Sequence, residues 1–332
     1  MVAAVVVASA SAGSLPPPLF RAAGQGTALA SSGPRIAAAA SCDVRVVDAG
    51  SKPTLVKRFG YCREDRFESA TIGLWLGKNT IVEENVLSPS PHGDSYELWV
   101  GRPRGTLHQL GGEWGWTDSG EPPTYGCDRV VAAGGGVVAI TPVPNNLGDA
   151  TACTGHASTQ IVLKGAVDKK LTIAGAWGVL ATNGKRIALG GFDSSVKRTA
   201  ELAIVDLDGR RLGTPHFAAG DVQRAYRGWF TPAGLFLDTK RGLVGPGSRL
   251  LVDGYSDITI GEGRAIYIRG RQLRGRRLKG GADRLIMKLP FPDSYVAAGT
   301  YGVAVQTGTV SERNAVYRIP WSTIDQVVPR SR

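Results

Sequence analysis

VLATNGKRIALGGFDSSVKRTAELAIVDLDG, residues 179–209, decides how the chain is read, because ALASSGPRIAAAASCDVRVVDAG, residues 28–50, is a second version of it. Leu180, Ala181, Gly184, Arg186, Ile187 and Ala188 match Leu29, Ala30, Gly33, Arg35, Ile36 and Ala37. After an insertion, VDLDG at 205–209 matches VVDAG at 46–50. Self-similarity has to be settled before any motif is trusted, since a repeated unit is packed against copies of itself. Weaker copies keep the same shape, a short apolar run, a tight turn and another apolar run. They lie at 71–86, 128–143, 226–239, 257–270 and 295–308. Gly, Asn and Pro occupy the turn centres, where a hairpin needs positive or fixed φ.

Most of these hairpins are followed by another strand pair, as in YELWVGRPRGTLHQL (96–110), TQIVLKGAVDKKLTI (159–173) and LAIVDLDGRRLG (202–213). Each repeat is then four antiparallel strands, A to D. One such sheet exposes two apolar faces, and sheets standing face to face around an axis hide both. Crowding near the axis accounts for the small residues of RIAAAAS, VVAAGGG and YVAAG, which are expected in first strands. Helical periodicity with capping signals is almost absent.

The R-I-A strand (186–188) and the D-x-D-G corner (206–209) resemble those of β-propellers, in particular the WD40-like, TolB-type repeats of the bacterial cell envelope. The resemblance implies an all-β propeller of six or seven four-stranded antiparallel blades, seven preferred. It implies a fold and leaves function open.

The corner itself, Asp206-Leu207-Asp208-Gly209, reads as a turn between strands C and D. Asp bonds its own backbone and Gly accepts positive φ. As a calcium loop with Gly209 at the sixth position, it would place Ile204 first and Pro215 twelfth, and neither carries a carboxylate.

The 332 residues are 42% apolar, enough for one large core. Residues 21–330 read as a single domain. Residues 1–20 read as the remnant of a signal peptide or a disordered N-terminus, since MVAAVVVASASAGS has an apolar run and an A-x-A site without a preceding Lys or Arg. No segment is long enough to span a bilayer. Four cysteines fit export. Their order suggests Cys42–Cys62 and Cys127–Cys153, one of the three connectivities open to four cysteines. Without C-x-x-C or paired His, no metal site and no cofactor is expected. The protein is placed outside the cytoplasm, secreted or in the cell envelope, and expected to be a monomer.

In an A-B-C-D meander the A–B and C–D turns share one face of the disc, and the B–C and D–A loops share the other. The long segments 87–95, 111–126, 141–158, 190–200 and 215–226 fall on the second face, where loops on a rigid frame carry binding. Their Trp114, Trp116, Asp118, Tyr125 and His92 suit a protein or glycan ligand. The same residues would equally serve as loop plugs against the blades. His156, His216, Asp193 and Asp221 are the candidates for acid–base chemistry in the alternative reading, a hydrolase or lyase acting on a polysaccharide or cyclic ester. Gly-x-Ser-x-Gly, zincin, Walker and dinucleotide motifs are absent from the sequence.

Net charge is +11, with 28 Arg against 11 Lys. Residues 264–279 contribute Arg264, Arg269, Arg271, Arg274, Arg276, Arg277 and Lys279 and no acid. This run is either a B–C loop or an outer hairpin. A third reading has it grip an anionic polymer or nucleic acid. The leading expectation is an exported binding scaffold for a protein or an envelope glycan, not an enzyme.

Overall fold

The computed structural model describes residues 14–21, 28–40, 43–48, 50–58, 69–90, 93–110, 127–144, 158–193, 197–308 and 314–330. The first strand, β1 (Phe20–Arg21), belongs to the last sheet. The first sheet then runs β2 (Ala28–Ser32), β3 (Arg35–Ala40), β4 (Asp43–Val47) and β5 (Thr54–Arg58). The second is β6 (Ser69–Leu76), β7 (Ile81–Ser90), β8 (Gly93–Gly101) and β9 (Thr106–Gln109). The third is β10 (Cys127–Gly134), β11 (Val137–Pro144), β12 (Ser158–Gly165) and β13 (Lys169–Ala174). The fourth is β14 (Trp177–Thr182), β15 (Arg186–Phe192), β16 (Arg198–Asp206) and β17 (Arg211–Gly213). A short helix, α1 (Ala219–Gln223), leads to the fifth, β18 (Ala225–Thr231), β19 (Gly234–Thr239), β20 (Gly242–Gly245) and β21 (Arg249–Val252). The sixth is β22 (Asp257–Gly261), β23 (Arg264–Arg269), β24 (Gln272–Arg277) and β25 (Arg284–Lys288). The seventh is β26 (Ser294–Gly299), β27 (Gly302–Thr307) and β28 (Ala315–Pro320), followed by the helix α2 (Trp321–Asp325). These seven sheets stand in a ring, a seven-bladed β-propeller, and β2 packs against both β6 and β26 to close it.

The core is the reason for the ring. Each pair of neighbouring blades shares one apolar cluster, so seven interfaces hold seven clusters among the described residues. Ala37 and Ala39 face blade 2 while Ala38 faces blade 7, and all three are fully buried. RIAAAA is therefore the second strand of its blade and not the first. Its alanines are small because both faces of β3 are sandwiched. Each fully buried aliphatic side chain in these clusters contributes about 2 kcal/mol.

The first strand of each blade leaves one backbone edge toward the axis, where unpaired N–H groups are costly. Neighbouring side chains answer some of them. Val179 N donates to Thr141 Oγ1 (2.9 Å), and Trp177 N to Thr159 Oγ1 (2.9 Å). Val296 N donates to Asp257 Oδ2 (2.8 Å), and Ala298 N to Thr259 Oγ1 (3.0 Å). These rungs lock blade to blade where no sheet pairing exists.

Two features close the circle. β1 pairs with β28 in the register Phe20↔Val316 and Arg21↔Ala315, so the start of the chain supplies the outer strand of blade 7. Strand β1 begins inside the segment 1–20 that the sequence sets apart, and Leu15 and Leu19 also pack on blade 7 clusters. At the rim, β5 and β9 pair in parallel through Lys57↔Thr106 and Arg58↔Leu107, which joins blades 1 and 2 into one sheet. Among the described residues no helix is long and apolar enough to cross a membrane.

Candidate functional site

All seven A–B turns lie on one face, here the short-turn face. The B–C and D–A connections lie on the other, the loop face. His92, Trp114, Trp116, Asp118, Tyr125 and His156 fall outside the described residues, as do Cys42, Cys62 and Cys153. Cys127 opens β10, and its side chain also lies outside them.

The remaining acid–base candidates each have their own local partner. Asp193 accepts from Lys197 N (3.0 Å) and closes the mouth of a B–C loop in blade 4. His216 is exposed, and its carbonyl accepts from Gly247 N (3.2 Å). Asp221, on α1, is buried and takes a two-pronged bond from Arg241, Nε at 2.5 Å and Nη2 at 2.8 Å. That guanidinium holds its carboxyl below the usual range against the opposing effect of burial. Asp221 ties the D–A connection to blade 5. Among the described residues no group of three or more His, Cys, Asp or Glu is placed to hold a metal.

The basic segment is strand, not loop. β23 and β24 are strands B and C of blade 6, joined by the tight turn at Gly270-Arg271. Pairing fixes which side chains stay free. Arg264 is fully buried, donates to Asp325 (2.6 Å) and to the Val328 carbonyl (2.7 Å), and lies 4.8 Å over the Trp321 ring. It pins α2 beneath blades 6 and 7. Arg274 Nε donates to both Asp283 carboxylate oxygens (2.9 and 3.0 Å), Arg276 donates to the Leu251 carbonyl of blade 5 (2.6 Å), and Arg269 grips the Asp253 and Gly254 carbonyls. Arg271, Arg277 and Lys279 are exposed. Arg271 sits on the loop face, and Arg277 and Lys279 sit on the short-turn face. The seven charges thus do not form one grip.

The loop face holds a cluster that the motif search passes over. Arg227, in β18, donates from Nε to Asp238 Oδ2 (3.1 Å) and from Nη2 to Asp257 Oδ1 (2.6 Å) and the Ile258 carbonyl (3.0 Å). Tyr255 OH donates to Asp238 Oδ1 (2.6 Å). With Val296 N on Asp257, all four carboxylate oxygens are taken. Burial, with Asp238 beside it, pushes the Tyr255 phenol above its ordinary range, so it stays a donor. The network spans blades 5, 6 and 7. Its guanidinium lies 5.2 Å over Trp229, and the side chain as a whole is 45% exposed. Next to it Tyr226 is 61% exposed, and Arg224, Lys240 and Arg271 are exposed on the same face of blades 5 and 6. The available signal was an Arg or Asp inside otherwise apolar strands, YRGWF and LFLDT, where a charge needs a partner.

No family model matches the chain, and no curated protein matches it. Among solved structures it resembles a chain of the "Crystal Structure of Mitotic Checkpoint Complex", with a TM-score of 0.51 and 14% identity over 96% of this chain and 99% of that one. The AfRom2 CNH domain gives 0.43 and 8% over 92% and 98%. Sqt1 of Saccharomyces cerevisiae gives 0.42 and 10% over 92% and 98%. At this identity the likeness to the first of these is one of fold alone, in keeping with the seven-bladed ring.

Proposed function

We propose that the chain is a scaffold that binds a protein through the loop face of blades 5 and 6. The observation that carries the reading is the pairing of a locked platform with an exposed aromatic and cations. Arg227 is held by two buried carboxylates, so it is presented without the entropy cost of ordering a long side chain. Tyr and Arg at a rigid surface are the residues that dominate protein interfaces. The saturated Asp238 and Asp257 favour a clamp over an acid–base pair. An envelope glycan remains the second ligand class through the aromatic segment 111–126, which lies outside the described residues. The test is co-purification with the full chain as bait. Tyr226→Ala and Arg271→Glu should lose the same specific partner, and Tyr301→Ala on the short-turn face should retain it. Retention by both loop-face variants overturns the reading.

The same proposal places the protein in the secreted or envelope compartment, supported by the A-x-A run and the cysteine order. Non-reduced peptide mapping should return Cys42–Cys62 and Cys127–Cys153. Four alkylatable thiols in native protein would count against export.

A further inference from the structure

Arg198 differs from the ion-paired arginines of the described residues. Arg264 has Asp325, Arg227 has two carboxylates and Arg274 has Asp283. Arg198 makes no ion pair with any described residue, and its Nη1 is enclosed and donates to nothing. It opens β16 opposite Phe192, with Cζ 5.0 Å from the ring centre. Its neighbours fix its side, since the Cβ position of Gly190 lies close to both its Nη1 and Leu180 Cδ1, and Leu180 belongs to the cluster between blades 4 and 5. Leu202, on the same face, belongs to the cluster between blades 4 and 5, while Ala203 and Val205 face blade 3. Arg198 therefore lies in the crevice between blades 4 and 5, at its loop-face end.

The floor of this crevice is apolar and shaped for the arginine. A Cβ on Gly190 would come 2.9 Å from Nη1 and 3.2 Å from Leu180 Cδ1, so only glycine leaves the guanidinium its place. Burial lowers the group to about 10, with no counter-charge acting against it. A cation held this way is costly unless something ionic completes it. The residue as a whole is only half-buried, so part of its side chain reaches solvent among the described residues.

We propose that the crevice between blades 4 and 5 is a carboxylate subsite, in which Arg198 receives an Asp or Glu side chain of a bound peptide. With Nη1 enclosed, the Nε–Nη2 edge of the planar fork is the one that matches a carboxylate bidentately. Phe192 and Leu180 give its methylenes an apolar seat. One cation balances one negative charge, whereas a phosphate dianion would bring a second charge with no partner on this floor. The peptide source rests on the loop-face reading, but the subsite is testable without any partner.

The probe is N-acetyl-aspartate N-methylamide, with one carboxylate, titrated into the full chain at constant ionic strength. The readouts are the Arg198 Nε–H NMR resonance and thermal stability. The wild type should show a saturable response to the probe beyond that to chloride. Arg198→Met should lose at least tenfold in affinity while melting no lower than wild type, since it removes an unpaired buried charge. Arg198→Lys, with charge but no fork, should fall between. Equal binding by Arg198→Met, or a wild-type response no greater than to chloride, overturns the proposal. Tighter binding of inorganic phosphate overturns the carboxylate assignment. Failure here leaves the Tyr226 and Arg271 test standing, because the small probe needs no partner protein.

Discussion

Asp206 shows how one side chain makes a corner. Its Oδ1 accepts from Asp208 N and from Arg210 N, both at 2.9 Å, and Gly209 follows at φ +84°. Asp208 is left to reach Lys169 of blade 3 at 2.6 Å. Asp206→Ala should cost about 1 kcal/mol in urea unfolding through the two lost bonds, and added calcium should leave the melting temperature unchanged. Arg264 gives the opposite case. Asp325→Ala should destabilise by about 2 kcal/mol, because it strands a buried cation that keeps only the Val328 carbonyl and the Trp321 ring. Arg264→Met should be nearly neutral in the same measurement. The corner was legible because turn chemistry is local. The Arg227 clamp was not, since its carboxylates lie 11 and 30 residues downstream and only the ring brings them near.

At the scale of strands, the A–B hairpins could be read from turn residues, and all of them formed. The basic run 264–279 was legible as charge but not as structure. Whether it is loop or strand depends on the register Arg264↔Arg277, which sends alternate arginines to opposite faces. The outer strand of blade 7 was also out of reach, because a two-residue strand carries no periodicity of its own. Phe20 is its anchor, buried against Ile36, Val47 and Val316. Phe20→Ala should cost about 3 kcal/mol, read as a lower urea midpoint, with hydrogen exchange rising first in β28. Equal protection of β28 in both proteins would show that β1 does not hold the seam.

The whole ring has an acid limit set by its carboxylates. The Arg35 side chain holds Asp48 below the usual range, as Arg241 holds Asp221. A group whose folded pKa is depressed stabilises in full above its unfolded value, near 4, and loses that contribution as pH falls through the folded value. The urea midpoint should therefore be level from pH 7 to 5 and fall below about pH 4. Arg35→Gln and Arg241→Gln should each make that fall shallower. An unchanged acid slope in both variants would mean that other groups govern it. The ring as a fold was inferable because a two-sided apolar sheet has few places to hide. Seven hairpins carried the preferred count of seven blades, but the make-up of the last blade was not legible, since it joins residues 20–21 to residues 294–320.

That shared blade sets an order in time. Phe20 meets Val316 only once synthesis has passed residue 316. Until then blade 1 has no neighbour on its blade 7 side, and Ile36 and Val47 remain wet. A nascent molecule is thus an open fan whose first and last sectors are sticky, in need of a holdase or of rapid passage to wherever it matures. Closure waits on that meeting, and a molecule that lacks β1 or β28 never completes it.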